Sequence, residues 1–404
     1  MKTQNIIAMA LAGLMSVPAI ADETSKPTAG DILQGINMFT PEEGDPSYKV
    51  KAYENFGTEW ALDIAYGYWN TNKTAPGTNR HSNYALLHGQ LNQRLIEDEH
   101  NGGTWLRFEI SGSWGLDSRT SKAEAEFVGG FGTTTDVHGD IFGPHNAVIP
   151  ELALMHYFNG KRACIIAGVV NLTNYFDALG IANDSFSGFT NTGFMNSTIL
   201  PLVDSNLGAI AQFEINSKNY VMAAFSRTDC QSGYNPFHTR GSGYAVVGEW
   251  GYIYNDGEAT FRLNPFFQSI ENETDTGTEA RKNAGLVGSI EYSPCNWVTL
   301  FTRAGFSAKQ QFGNAGEFSI GANLRLIPSR EDDFFGIAWG VFKGTNSEDE
   351  PTAHNREQVL ELTYSFQVCD YMKIMPHFQY IHNPANRGDC RDETLLGVQT
   401  VFSF

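Results

Sequence analysis

Charged side chains recur at alternate positions in segments that are otherwise apolar. Arg107, Arg262, Arg303, Arg325 and Lys373 stand at such positions, as do Glu109, Glu214, Glu249, Glu291 and Glu361. Guanidinium and ammonium groups only donate hydrogen bonds and carboxylates only accept them. Opposed groups of both kinds around one wall keep its net field small and present many partners to the hydroxyls of a neutral polyol. The plainer alternative is that these charges solvate a polar interior and brace one another across strands.

A second concentration lies between Asn171 and Asp204. It holds Asn171, Asn174, Tyr175, Phe176, Asp177, Asn183, Asp184, Phe186, Phe189, Asn191, Phe194 and Asn196. Aromatic rings pack on C–H faces while amides and carboxylates bind hydroxyls, so the mixture suits a carbohydrate. So many Phe side chains are costly to leave in water. The segment therefore either folds into the space enclosed by its neighbours or caps them without meeting a solute. Asp136, His138, Asp140 and His145 have the side chains to hold a divalent cation, but without a ligand spacing they read as polar surface. The chain has no Gly-x-Ser-x-Gly, no His-Glu-x-x-His and no phosphate loop, so neither enzymatic activity nor a cofactor or metal is expected.

The elements that position these residues are strands. In the last twelve residues, Glu393 to Phe404, Leu396, Val398, Thr400, Phe402 and Phe404 alternate with Gly397, Gln399, Val401 and Ser403, the period of a strand with one apolar and one polar face. The same alternation runs through 207–215, 259–268, 318–326 and 360–368. Short turns are expected at 97–103, 158–161, 215–218, 254–258, 293–296, 327–333 and 368–371. Longer polar connections are expected at 70–82, 116–146, 171–204, 227–242, 269–283, 308–315, 343–356 and 382–391. Fifteen connections give sixteen strands with both ends on the short-turn side. The fold class is therefore all-β, a closed antiparallel transmembrane barrel with short turns at one rim and long loops at the other. Lipid offers no partner to a free backbone group, which is why the sheet must close. Trp60, Trp69, Trp105, Trp114, Trp250, Trp297, Tyr252, Tyr292 and Phe404 lie near strand ends, where such barrels carry aromatic girdles. A soluble sandwich or propeller alternates in the same way but gives no reason for the two loop lengths.

Residues 1–21 read as a signal peptide, with Lys2, an apolar run and Ala19-Ile20-Ala21 as a small-x-small cleavage site. Residues 22–56 lack strand periodicity and are expected on the periplasmic side or partly inside the lumen; 57–404 form the barrel. The net charge of −18, from 27 Lys+Arg against 45 Asp+Glu, argues against nucleic acid. Five cysteines are an odd number; only Cys230 with Cys390 is a conceivable pair.

Several motifs bear a resemblance. GDIFGPHN from Gly139, FNGKRACIIAGVVNLTNYFDA from Phe158, ANDSFSGFTNTGFMNSTILP from Ala182 and PHFQYIHNP from Pro376, which contains His377, precede the terminal Phe strand. Together they resemble the carbohydrate-selective porins of Gram-negative outer membranes, from about Gly57 to the end. The resemblance implies a sixteen-stranded barrel in outer-membrane lipid that passes mono- and small oligosaccharides through a pore narrowed by infolded loops, as a monomer or a homotrimer. The readings beside it are a general unselective porin, a plugged barrel acting as an adhesin or structural protein, and an outer-membrane lipase or protease.

Overall fold

The computed structural model describes residues 28–38, 46–71, 80–98, 100, 102–116, 135–141, 145–203, 205–228, 242–274, 277–308, 314–344, 356–384 and 392–404. The signal-peptide segment, Cys230 and Cys390 lie outside them. Two helices come first, α1 (Ala29–Asn37) and α2 (Ser47–Phe56). The first strands are β1 (Thr58–Thr71), β2 (His81–Ile96), β3 (Thr104–Gly115), β4 (His145–Phe158) and β5 (Ala163–Val170). A long connection carrying the short helix α3 (Thr192–Met195) leads to β6 (Asn206–Asn216), β7 (Asn219–Arg227), β8 (Ser242–Tyr254), β9 (Ala259–Thr274), β10 (Gly277–Cys295) and β11 (Val298–Ser307). The chain finishes with β12 (Asn314–Leu324), β13 (Phe334–Gly344), β14 (Glu357–Cys369), β15 (Met372–His382) and β16 (Glu393–Ser403).

All sixteen strands form one closed barrel in which sequence neighbours pair antiparallel and β1 meets β16. The seam registers Asp63 with Ser403 and Thr71 with Leu395, and Leu62 and Phe404 exchange backbone hydrogen bonds of 2.8 and 3.1 Å. Alternation sets the two faces. In β4, Leu152 and Leu154 point outward and exposed while Glu151, Ala153 and Met155 are buried; in β16, Leu396 and Val398 point outward while Gln399 and Val401 are buried. Phe225, Trp250, Ile320 and Trp339 continue the exposed apolar belt. Such a surface has no place in water and is what lipid requires. Gly57 ends α2 in a left-handed conformation (φ +62°), and its N–H caps the helix at the Tyr53 carbonyl, 2.8 Å, before β1 begins.

One connection departs from the sequence expectation. Residues 269–283 are not a long loop: β9 and β10 stay paired from Ser269↔Lys282 to Thr274↔Gly277, a tight hairpin. The segment ENETDTGTEARK offers no apolar face, so alternation could not reveal it, whereas the backbone ladder needs none. Cys164, Cys295 and Cys369 are free thiols.

The β12–β13 turn is braced at the short-turn rim. Arg330 grips Asp333 with two hydrogen bonds, Nε–Oδ2 2.6 Å and Nη2–Oδ1 3.0 Å. Asp333 also accepts from Tyr364 Oη at 2.9 Å and the Gln367 N–H at 2.9 Å. Arg330 stacks 4.2 Å over the Phe366 ring. The Arg330 guanidinium holds the Asp333 carboxyl below its usual range. A depressed native value means that the unfolded state takes up the proton first, so the contribution is complete above the ordinary aspartate value of about 3.9 and is lost as pH falls through the lower native value. Asp333→Asn should lower Tm at about pH 6, and the deficit against the parent protein should shrink by about pH 3. A deficit independent of pH would show that the carboxylate charge is irrelevant.

Candidate functional site

The long connection between β5 and β6 lies inside the barrel, where irregular backbone needs polar partners. Inward carboxylates supply them. Glu361 (β14) accepts from the Thr190 N–H and Oγ1, 2.9 and 3.0 Å, and from the Asn191 N–H, 3.1 Å. His377 (β15) lies 3.2 Å from the same carboxylate, and Gln379 donates to Thr190 Oγ1 and the Val137 carbonyl, each at 2.9 Å. Glu317 (β12) accepts from Ser197 and from the Thr198 N–H and Oγ1, 2.8 and 2.7 Å. Glu249 (β8) accepts from the Asp177 N–H, Tyr220 Oη and Asn264 Nδ2, each at 2.8 Å. Glu109 (β3) accepts from Asn174 and Asn171 at 2.6 and 3.1 Å, and Glu151 (β4) from the Tyr175 hydroxyl.

The strongest tether is ionic. Arg303 Nε (β11) lies 2.5 Å from Asp177 Oδ2, with neither side chain exposed to solvent. Arg303 also donates to the Phe194 carbonyl, 3.3 Å. Beside it Phe189 contacts Phe194 and Phe301 with ring centroids 5.8 and 5.9 Å apart, and Phe194 meets Phe342 at 6.3 Å. Gly193 of α3 makes this seating possible, because a Cβ there would fall 2.3 Å from the Phe342 ring.

Residues 135–141, the described part of the β3–β4 connection, complete the inward layer. Thr135 donates to Glu357 Oε1 from its N–H and Oγ1, 2.9 and 2.8 Å. His138 Nε2 and Tyr84 Oη each lie 2.9 Å from Gln399 Oε1, while the Asp140 N–H reaches His138 Nδ1 at 3.3 Å. These contacts assign a neutral imidazole carrying its proton on Nε2; burial lowers the His138 pKa accordingly. Ser185 donates to Asp140. Asp136, His138 and Asp140 are thus structural polar groups, and no grouping suited to a metal ion occurs among the described residues.

On the short-turn side α1 also lies against the inner wall. Its Thr28 capping box starts the helix, and the Ala29 N–H donates to the Ser217 carbonyl of the β6–β7 turn, 2.8 Å. Leu33 joins a buried cluster with Trp105, Tyr157 and Ile210. Asn37, fully buried, bonds Gln212 of β6 at 2.5 Å, while its carbonyl accepts from Asn92 of β2 at 2.9 Å and from Arg107 of β3.

Between this helix and the inward loops lies a cavity of about 970 Å³. Of the residues singled out from sequence, Arg107, Glu109, Asn174, Asn183 and Asp184 border it, as does Lys373. Tyr175, Phe176, Asp177, Arg303, Glu361 and His377 are buried behind its lining and hold the loop in place. Arg262 is buried 4.0 Å from Glu249, and Glu214 lies 3.8 Å from Arg162 near the rim. Arg325 is a correction: it follows the last residue of β12, is exposed, and donates to the Asn296 carbonyl at 2.7 Å. Its alternating position continued the strand pattern past the point where the strand ends. Phe186, also singled out, lines the cavity too; sequence reasoning did not find Ile32, Ile36, Asp63 or His88, which complete this part of the lining. For α1 the available signals were Thr28 and Asp31 at capping-box spacing and the Ile32/Leu33/Ile36 periodicity.

Residues 287–404 match the family model described as carbohydrate-selective porin, OprB family. This C-terminal part of the chain is similar to that family. The fold is similar to that of Pseudomonas putida OprB in its high-pH structure, with TM-score 0.70, 12% identity, and coverage of 88% of this chain and 96% of that chain. The low-pH structure of the same protein gives TM-score 0.52 at 13% identity over 91% and 99% of the two chains. A triple mutant of the Rhodopseudomonas blastica porin gives 0.50 at 10% identity over 86% and 100%. At these identities the likeness establishes the fold. No curated protein matches the chain.

Proposed function

We propose that the central cavity is the selectivity chamber of a passive outer-membrane sugar channel. The observation that carries this reading is a single chamber whose lining combines hydroxyl-binding groups with apolar surface. Glu109, Asn171, Asn174 and Asp184 stand beside Phe186, Leu200 and Ile36. A sugar ring has both kinds of surface, hydroxyls at its rim and C–H groups on its faces. The chamber's 970 Å³ lies at the upper end of the ~300–1,000 Å³ of small-molecule sites, room for a small saccharide but not for a polymer.

A channel of this kind needs no reacting group; width, field and hydrogen-bond partners do the sorting. The inward loops set the width, because Glu249, Glu317 and Glu361 fix them to three separated parts of the wall. In this reading residues 1–21 supply the export signal that brings the chain to the outer membrane. Liposomes carrying the purified porin should swell faster in mono- and disaccharides than in amino acids of equal size. Equal rates would leave an unselective pore, and no swelling would mean a plugged barrel.

A further inference from the structure

We propose that α1 is a second layer of the solute filter, an aliphatic rail built into the short-turn half of the lumen. The inference rests on the sugar-path reading and adds an element to it that the strand pattern does not supply.

The helix turns one row of residues to the wall and another to the lumen, where Ile32 and Ile36 stay half-buried and also pack against the wall cluster. Residues three and four apart share a helix face. Ala29, Leu33 and Asn37 form one such row and are buried against the wall. Ile32, Gly35 and Ile36 form another and line the cavity, with Met38 beyond the helix end continuing the row. A passive tether hanging in the periplasm would have no reason to bury Asn37 completely and bond it to β2, β3 and β6 at once. Its first N–H is bound at the β6–β7 turn, so both ends of α1 are fixed while one face stays open to the chamber.

That open face is apolar where the rest of the lining is largely polar. Leu200 and Leu202 of the inward loop also reach the cavity, so aliphatic surface borders it from both the loop and the helix. Isoleucine and leucine give a pyranose ring a surface for its C–H faces without binding its hydroxyls, which suits transit better than retention. The acceptors and donors, Glu109, Asn174 and Asp184, take the hydroxyl edge. A flexible acyclic polyol of the same size has no rigid apolar face to set against the rail and gains less from it.

Gly35 provides a direct test. A Cβ added there meets nothing within 4 Å, so the side chain of Gly35→Trp starts out into open space on the cavity side, and losing a helical glycine favours the helix. Single-channel conductance in planar bilayers should fall severalfold. Unchanged conductance would place α1 outside the solute path and overturn the proposal. The companion variant, Ile32→Asn with Ile36→Asn, leaves the wall row intact. Liposome swelling should then lose the parent porin's preference for glucose over an acyclic hexitol; a preference that persists would overturn the rail. If the parent porin itself fails to favour sugars over amino acids of equal size, the sugar-path reading falls, and the Gly35→Trp conductance still decides whether α1 stands in the channel.

Discussion

Replacing Arg303 by alanine should raise single-channel conductance severalfold and erase the discrimination between sugars and amino acids, with the barrel still closed. Arg303 and Asp177 are paired at 2.5 Å with neither exposed to solvent. Removing one partner of a buried pair costs about 3–5 kcal/mol because the other charge stays behind uncompensated. The remaining tethers near this point are individually smaller, about 0.5–1.5 kcal/mol net for a neutral hydrogen bond and about 1.5–3 for one to a charged group. The cheapest relief is therefore local: Asp177 swings toward the lumen and water, taking with it the segment held through the Ser197 N–H, 3.0 Å, while the Phe194 carbonyl loses its Arg303 donor and is released. The barrel seam shares no residue with this network, so strand pairing survives.

The attribution to an orphaned charge is testable. Arg303→Met with Asp177→Leu removes both charges, and apolar replacement of a buried pair is often neutral, so the double variant should recover much of the closed conductance. Arg325→Ala should leave conductance where it was, because Arg325 is exposed in the β12–β13 turn. Bilayer conductance and liposome swelling measure both properties. An Arg303→Ala variant with parental conductance would show that the Phe189, Phe194 and Phe342 packing alone holds the loop.

The barrel could be read from the sequence because a strand's two faces are written at period two, and one-dimensional spacing is all that such a reading needs. Leu396 and Val398 against Gln399 and Val401 show it directly. The hairpin of β9 and β10 escaped because its outer part lies beyond the apolar belt, where nothing selects alternation. The site was legible only to the level of which side. Arg107, Arg262 and Arg303 do face inward, yet inward is not the same as pore-lining once a loop and a helix fill part of the lumen. Depth and cover depend on contacts between residues more than a hundred positions apart, such as Thr190 with Glu361 and Asn37 with Gln212. No local pattern carries that information. What the sequence does mark is the polar and aromatic richness of 171–204, which makes sense as the composition of a segment that must be satisfied inside a barrel.

The same partition changes the expected field of the pore. Read by strand face alone, arginine and glutamate nearly balance. In the folded chain Arg262 and Arg303 are paired with Glu249 and Asp177 behind the lining. Arg107, although at the cavity, lies 3.5 Å from Glu151, and His88 lies 3.2 Å from Glu109. Among the described residues, what remains facing the chamber is Asp63, Asp136, Asp140 and Asp184 against Lys373. Carboxylates facing a narrow low-dielectric lumen concentrate cations and repel anions. In a salt gradient the barrel should therefore show a reversal potential of cation-selective sign, weakening as ionic strength rises past about 0.1 M, where the Debye length drops to about 10 Å. Asp136→Asn with Asp140→Asn should move the reversal potential toward zero; the amide oxygen that takes the place of the Asp140 carboxylate can still accept from Ser185, so the change is one of charge. Lys373→Gln should move it the other way. Burial raises the Asp136 pKa, so that carboxylate is among the first to be neutralised, and selectivity should decline as the solution is acidified toward the carboxylate range. A neutral sugar feels none of this directly, so its flux should change little with Lys373→Gln while the ratio of cationic amino-sugar to anionic uronic-acid flux rises. An anion-selective reversal potential in the parent protein would mean that the lining carboxylates do not govern the field.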